Sequence, residues 1–325
     1  MAARRLSKFF SICSALSSHA LAQGFGGNIS AKLDGHVMAI KASGVRLSDV
    51  KQGKGYSLLS YPRLARLYWQ APCGSERSAL GAIAGSVLPG GAARPSMEAG
   101  FHAFLGKYVA HLHPACFNAI ACQKGARKTL SEIYGGQRFL WVRYARPGHK
   151  LACAVRRAVG GQKECVVFLQ NHGIITSSGS AGQCIRKARE IERKANAYLK
   201  ANSGMPPFTI APLRKTRGGW LNASPAAKAF ASSRANAWRF VFPDAAVFFS
   251  QSFARGSKIR AVAGKGVEYL LPEKDARAAN EIFCAHAFIS DAAHRMGSPA
   301  WLAKSEILAL CGMESERHRR RAAGV

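Results

Sequence analysis

"KYVAHLHPACFNAI", residues 107–120, is where a strand hands over to a helix. Lys107 to His113 is an apolar run of strand length. Pro114 suits the first turn of a helix, where the N–H it lacks would have no partner in any case. The flanking sequence repeats the alternation. Upstream, "NISAKLDGHVMAIK" (28–41) reads as two strands around Asp34-Gly35, a dipeptide that favours a two-residue type I′ turn, and residues 96–106 read as a helix. Downstream, "RFLWVRY" (138–144) reads as a strand, "GHKLACAVRRAV" (148–159) as a helix and "ECVVFLQNHG" (164–173) as a buried strand ending in a turn. "SAGQCIRKAREIERKANAYLK" (180–200) is a long charged helix with Ile185, Ala188, Ile191, Ala195 and Leu199 at helical spacing. Alternation of this kind defines an α/β layered domain, assigned to residues 1–203.

The stretch "GMPPFTIAPLRKTRGG" (204–219), rich in Pro and Gly, reads as a linker. Residues 220–325 form a smaller α+β region, with "RFVFPDAAVFF" (239–249), a hairpin in "KIRAVAGKGVEYLL" (258–271) and helices from Glu273 onward. This second region offers no catalytic pattern. At the other end, "MAARRLSKFFSICSALSSHALAQ" (1–23) imitates a secretory leader, but four serines and a histidine interrupt its apolar part from Phe9 onward, and it reads better as an amphipathic helix leading directly into the first strand.

Composition narrows the function classes. The 325 residues carry 47 Lys and Arg against 17 Asp and Glu, a formal charge of +30. Such a field attracts polyanions, phosphorylated metabolites included. The basic residues are nevertheless scattered from Arg4 to Arg321, and the one dense run is "ERHRRR" at 316–321. Neither zinc-finger spacing nor RNP-like aromatics accompany them, so a nucleic-acid partner is not expected. No apolar run reaches the roughly 18 residues that span a bilayer. Nine cysteines without a CxxC pair point to a reducing compartment, hence a cytoplasmic protein.

The chemistry gathers around the opening stretch. Side chains two apart on a strand point the same way from Cα atoms roughly 6.5 Å apart, so His111 and His113 can address one point. His172, in "VVFLQNHGIIT", ends another apolar strand and is followed by a glycine that permits a tight turn. Three imidazoles leave a tetrahedral Zn²⁺ one open position for water or substrate, the signature of a catalytic rather than a structural site. Glu98, at the start of the helix before the His111 strand, is the candidate carboxylate; read blandly, it is a first-turn acid favoured by the helix dipole. His102, one turn later, is expected to pack or to support the site rather than to ligate. "QGFGGNIS" (23–30) lacks GxGxxG spacing and leads into a strand, so it is either a simple turn or an anion nest with Asn28 and Ser30 as donors. "KASG" (41–44) adds Ser43, the Gly44 N–H and Lys41 as countercharge.

These residues resemble a known family. "GFGGNISAKLDGHVMAIKASGVRL" (24–47), "RPSMEAGFH" (94–102), "VAHLHP" (109–114) and "LQNHGIIT" (169–176) follow the order and spacing of the class II aldolase/adducin family, across about residues 5–200. The resemblance implies a layered α/β/α domain with a mixed central sheet, in which His111, His113 and His172 hold zinc and Glu98 contacts the resting metal and moves protons. It implies that Asn28, Ser43, Gly44 and Ser96 hold a substrate phosphate. The implied function is a zinc-dependent aldolase that splits a ketose or ketose phosphate through a metal-stabilised enediolate, working as a homo-oligomer. A sugar-acid phosphate decarboxylase, an epimerase or a non-catalytic adducin-like module are the alternatives. The retained histidines argue against the adducin-like role, and glutamate at 98, where the epimerase carries aspartate, argues for carbon–carbon cleavage. Met97 and Phe25 stand where the family often carries hydroxyl residues, and the family's C-terminal catalytic tyrosine has no alignable counterpart.

Overall fold

The computed structural model describes residues 2–70, 75–90, 93–135 and 138–325. The elements of the first part are α1 (Ala2–Ala15), β1 (Asn28–Lys32), β2 (Val37–Lys41), β3 (Tyr56–Ser60), α2 (Tyr61–Gln70), α3 (Glu76–Ala84), α4 (Ala99–Phe104), β4 (Tyr108–Leu112), α5 (Ala115–Ala121), α6 (Ala126–Tyr134), β5 (Leu140–Val142), α7 (His149–Val159), β6 (Cys165–Leu169), β7 (Gly173–Ser178) and α8 (Ala181–Ser203). After them come β8 (Arg214–Thr216), β9 (Gly219–Asn222), α9 (Pro225–Ala231), α10 (Pro243–Phe249), β10 (Ile259–Val262), β11 (Gly266–Tyr269), α11 (Glu273–Met296), α12 (Lys304–Gly312) and α13 (Glu314–Ala322). Among the described residues no helix is long and apolar enough to cross a membrane.

Strands β1 to β7 make one mixed sheet in the order β3-β2-β1-β4-β7-β6-β5, in which only the β5–β6 pairing is parallel. The strand expected around residue 110 is its centre. Alternation along β4 serves two cores: Tyr108, Ala110 and Leu112 join the cluster that includes residues of α1, α5 and α8, whereas Val109 joins the one formed with α2, α4 and α7. A sheet covered on both faces in this way is the layered α/β/α domain that the resemblance implies.

Four local readings need correction. The β1–β2 connection is not a type I′ turn. Leu33 N donates to Val37 O (2.8 Å), so Asp34, Gly35 and His36 all lie in the loop, and none of them has a positive φ. Asp34 Oδ1 instead accepts from the N–H groups of His36 and Val37, each at 2.7 Å, and these bonds hold its carboxyl below the usual carboxylate range. Second, the residues after the turn at 170–172 form a further strand, β7, paired antiparallel to both β6 and β4. Third, α1 buries Phe9, Ile12 and Cys13 as an amphipathic helix should, but residues 16–27 separate it from β1. Fourth, in α8 the buried stripe begins at Cys184 rather than Ile185.

Beyond α8, the expected hairpin is β10–β11, and it extends into a four-stranded antiparallel sheet ordered β10-β11-β9-β8. Strand β8 starts inside 204–219. Helix α11 lies against α5 and α8, and one cluster of buried side chains includes Phe117 and Leu199 from the first part with Phe240, Phe249 and Ile282 from the second. Glu281 of α11 also accepts a hydrogen bond from Gly24 N (2.9 Å), which ties the glycine-rich loop to the second region.

Candidate metal centre

His111 lies on the central strand, directly across from Asn28 of β1 and Ile175 of β7. Its ring is fully buried, edge-on to Phe101, and Nδ1–H donates to Ile174 O at 2.9 Å. A carbonyl only accepts, so Nδ1 carries the hydrogen and Nε2 is a bare lone pair. His113, one residue past the strand, is anchored by its backbone N–H on Leu21 O (3.0 Å). Its Nδ1–H donates to a carboxylate, Asp244 Oδ2, at 3.1 Å, so in the neutral ring Nε2 is likewise a lone pair.

The third imidazole comes from the β6–β7 turn. Asn171 there adopts the left-handed conformation (φ 55°), and its Nδ2 donates to Val241 O and Ala300 O, both at 2.7 Å. Asn118 Nδ2 donates to His172 O (3.1 Å), and Gly173 allows β7 to start so close to Leu112 O that no Cβ would fit. The result is convergence: His111 Nε2 stands 3.1 Å from His113 Nε2 and 3.2 Å from His172 Nε2.

These donors fit a divalent cation. Two Nε2 lone pairs facing each other at 3.1 Å repel unless a proton or a metal lies between them. Burial first, and the other imidazoles second, push His172 down to about 3 and His111 well below its ordinary value, so these two rings stay neutral and keep their lone pairs for a cation. Tetrahedral Zn–N bonds of about 2.0–2.1 Å would set nitrogens roughly 3.3–3.4 Å apart, close to the spacing found.

Glu98 precedes α4 and is buried beside the histidines. Oε2 accepts from Asn28 Nδ2 (2.7 Å) and stands 3.5 Å from His111 Nε2, while Oε1, 3.6 Å from His172 Nε2, has no hydrogen-bond partner among the described residues. A buried carboxylate oxygen with no hydrogen-bond partner among the described residues, 3.6 Å from an imidazole nitrogen, again suits a cation. Burial pushes the Glu98 carboxyl up to about 7 although His113 works against it.

Asn28, Ser43, Gly44 and Ser96 all line the same cavity of about 30 Å³ as Glu98, His113 and His172. Ser96 Oγ accepts from Glu98 N at 3.2 Å. Lys41 is buried there too, with Nζ donating to Val45 O (2.6 Å) and Phe25 O (3.2 Å); burial, and then the charge of Arg319, push it down to about 8. Two expected side chains turn elsewhere. Ser30 Oγ meets His102 Nδ1 at 2.8 Å, and His102 stacks on Phe101, so neither reaches the cavity and His102 acts in packing. In the glycine-rich loop the Gly24 and Gly26 N–H groups are taken by Glu281 Oε2 and Gln23 O.

The second region supplies what sequence reasoning missed. Asp244, Glu316 and Arg319 line the cavity. Arg319 Nη2 donates to Asp244 Oδ1 (2.7 Å), Nε lies 2.8 Å from Glu316 Oε2, and the guanidinium covers Phe248, which stacks on Phe25. Burial works to raise the Asp244 carboxyl, but Arg319 and His113 override it and hold it well below the usual range. One local signal existed: Asp244 is the single charged residue inside "FVFPDAAVFF" (240–249).

With three histidines set on the central strand and the adjoining turn of a mixed, doubly covered sheet, the chain belongs to the family described as Class II Aldolase and Adducin N-terminal domain, whose profile matches residues 7–199. It is similar in fold to the N-terminal class II aldolase domain of a conserved protein from Thermoplasma acidophilum: 20% identity, TM-score 0.53, over 59% of this chain and 92% of that one. A sugar-phosphate aldolase from Thermotoga maritima matches at 17% identity and TM-score 0.47, over 63% of this chain and 98% of its own. A Bacillus subtilis protein named uncharacterized oxidoreductase YuxG is 34% identical over 108 residues, which are 33% of this chain and only 16% of that protein's length.

Proposed function

We propose that the chain is a metal-dependent aldehyde-lyase of class II aldolase type, splitting a ketose or ketose phosphate at a divalent cation, zinc for preference, held by His111, His113 and His172. The observation that carries this reading is the pair of bare Nε2 atoms 3.1 Å apart, with a third at 3.2 Å and the unpartnered Glu98 Oε1 alongside. A divalent cation there supplies Lewis acidity toward a substrate carbonyl and its neighbouring hydroxyl. Glu98 moves the proton. Asn28 occupies Oε2 and leaves Oε1 beside the histidines, where the carboxylate can take a substrate proton and return it.

Asn28, Ser43, Gly44 and Ser96, with Lys41 behind them, bind the substrate's anionic end. The side chains of Phe25 and Met97 offer no hydroxyl there and narrow the pocket instead. The cavity, walled in part by Ser315, Glu316 and Arg319 of α13, has room for about one water, so a ketose needs it to widen. Ser43, Met97 and Ser315 also border a chamber of about 1110 Å³, where Arg77 and Arg94 stand with Glu76 and Glu314, the last paired to Arg94 at 3.0 Å, and this is the approach to the site. Homo-oligomeric assembly and a cytoplasmic setting complete the proposal as expectations from symmetry and cysteine usage.

Metal analysis of the purified chain together with product analysis on a panel of ketoses and ketose phosphates tests it. We expect about one divalent metal per chain, and two carbonyl fragments from the substrate cleaved. Release of CO₂ or an epimer would replace the aldolase by the decarboxylase or the epimerase. A chain that binds no metal would return it to the adducin-like role.

A further inference from the structure

The second region reaches the histidines through one carboxylate. Asp244 begins α10, is 5% exposed, and divides its two oxygens between an imidazole and a guanidinium: Oδ2 accepts from His113 Nδ1–H at 3.1 Å, and Oδ1 accepts from Arg319 Nη2 at 2.7 Å. Gly26 belongs to the same arrangement. A Cβ at that position would stand 2.8 Å from Asp244 Oδ2 and 2.9 Å from His113 Nδ1, so the bare backbone is what lets the carboxylate and the imidazole meet. Arg319 is fixed in turn, with Nε 2.8 Å from Glu316 Oε2 one helical turn away and its guanidinium 5.7 Å over Phe248.

From this geometry we infer that Asp244 is a positioning residue that fixes the ring and tautomer of His113, and that Arg319 in turn fixes Asp244, so that the C-terminal region completes the metal centre. The inference rests on the proposed metal site but concerns residues outside 7–199, the part that the family profile matches. The physical reason is general. An imidazole that donates its far N–H to a carboxylate is held in one ring orientation and becomes a more basic ligand at its other nitrogen. His111 obtains this from a backbone carbonyl, Ile174 O, whereas His113 obtains it from a charged group 131 residues away in sequence. Arg319 prevents Asp244 from being an isolated buried anion, whose cost would otherwise turn it away from the site.

The test uses the full-length chain loaded with Zn²⁺, titrated against a chromophoric chelator, with a parallel Co²⁺-loaded sample for its ligand-field spectrum. Asp244→Asn should raise the zinc Kd roughly 10- to 100-fold and shift the Co²⁺ spectrum. Arg319→Met should act in the same direction and more weakly, and the double variant should be no weaker than Asp244→Asn alone, because both act through one contact. Arg146→Met provides the control. It breaks the Arg146–Glu306 ion pair (2.6 Å), away from the histidines, and should leave the zinc Kd unchanged even where it lowers Tm. A folded Asp244→Asn chain with the zinc Kd and Co²⁺ spectrum of the unaltered protein would overturn the inference alone. If Asp244→Asn does not fold, unaltered zinc affinity in Arg319→Met overturns it as well. An unaltered chain that takes up neither metal would sink this inference and the proposed function together.

Discussion

At His111 a single carbonyl sets the chemistry. Ile174 O takes the Nδ1 hydrogen, so Nε2 faces the other imidazoles as a lone pair. What strand periodicity predicts, two imidazoles addressing one point, is a local property of the backbone and is therefore legible at 111 and 113 without any knowledge of the fold. The same holds for Glu98, whose place before α4 follows from the helix start; its unpartnered Oε1 does not, because that depends on how Asn28 and the β6–β7 turn surround it. Two predictions belong here. His111→Ala should abolish metal binding, measured by metal content after dialysis. Glu98→Gln should keep the metal while kcat falls by about 10²–10⁴, read from steady-state kinetics on the metal-loaded protein; a fully active variant would remove Glu98 from its role.

Among the elements, the β6–β7 turn and the α8–α5 contact place His172 and steady the entry to α5. The turn defeats sequence reading because "LQNHG" shows neither that Asn171 takes the left-handed region nor that its amide spans to Val241 and Ala300. Likewise Asp34-Gly35 invites a two-residue turn by composition, whereas the aspartate side chain closes a longer loop. Asn171→Ala removes the amide donor from Val241 O and from the part-buried Ala300 O and puts Ala in the left-handed region, so it should cost about 2–4 kcal/mol in urea unfolding. Glu192, in α8, accepts from the N–H groups of Cys116 (3.0 Å) and Phe117 (3.1 Å), yet burial outweighs these bonds and pushes its carboxyl up to about 7. A carboxyl raised on folding favours the folded chain fully below its unfolded pKa of roughly 4.3, and that contribution fades as pH rises through about 7. Scanning calorimetry should therefore show Tm of the unaltered chain falling across that window relative to Glu192→Gln; parallel curves would contradict it.

Over the whole molecule the second region closes the site that the first one builds. Nothing local in the sequence joins residue 113 to residue 244, since that contact depends on α11 lying across α5 and α8. The run "ERHRRR" reads as solvated charge, but only Arg317 and Arg321 are exposed. Helical pitch turns Glu316 and Arg319 inward while Arg317 and Arg321 face solvent. Because α13 leaves a cavity of only about 30 Å³, a chain ending at Gly312 should surrender its metal to a chelator at least roughly tenfold faster than the full chain, followed by stopped-flow absorbance. Equal rates would mean that α13 does not guard the site. The central claim, three imidazoles on one divalent ion, is met most directly by X-ray absorption at the zinc edge of the purified, zinc-loaded protein. Three imidazole nitrogens at about 2.0–2.1 Å are predicted; sulfur at about 2.3 Å, or a first shell without imidazole, would contradict it.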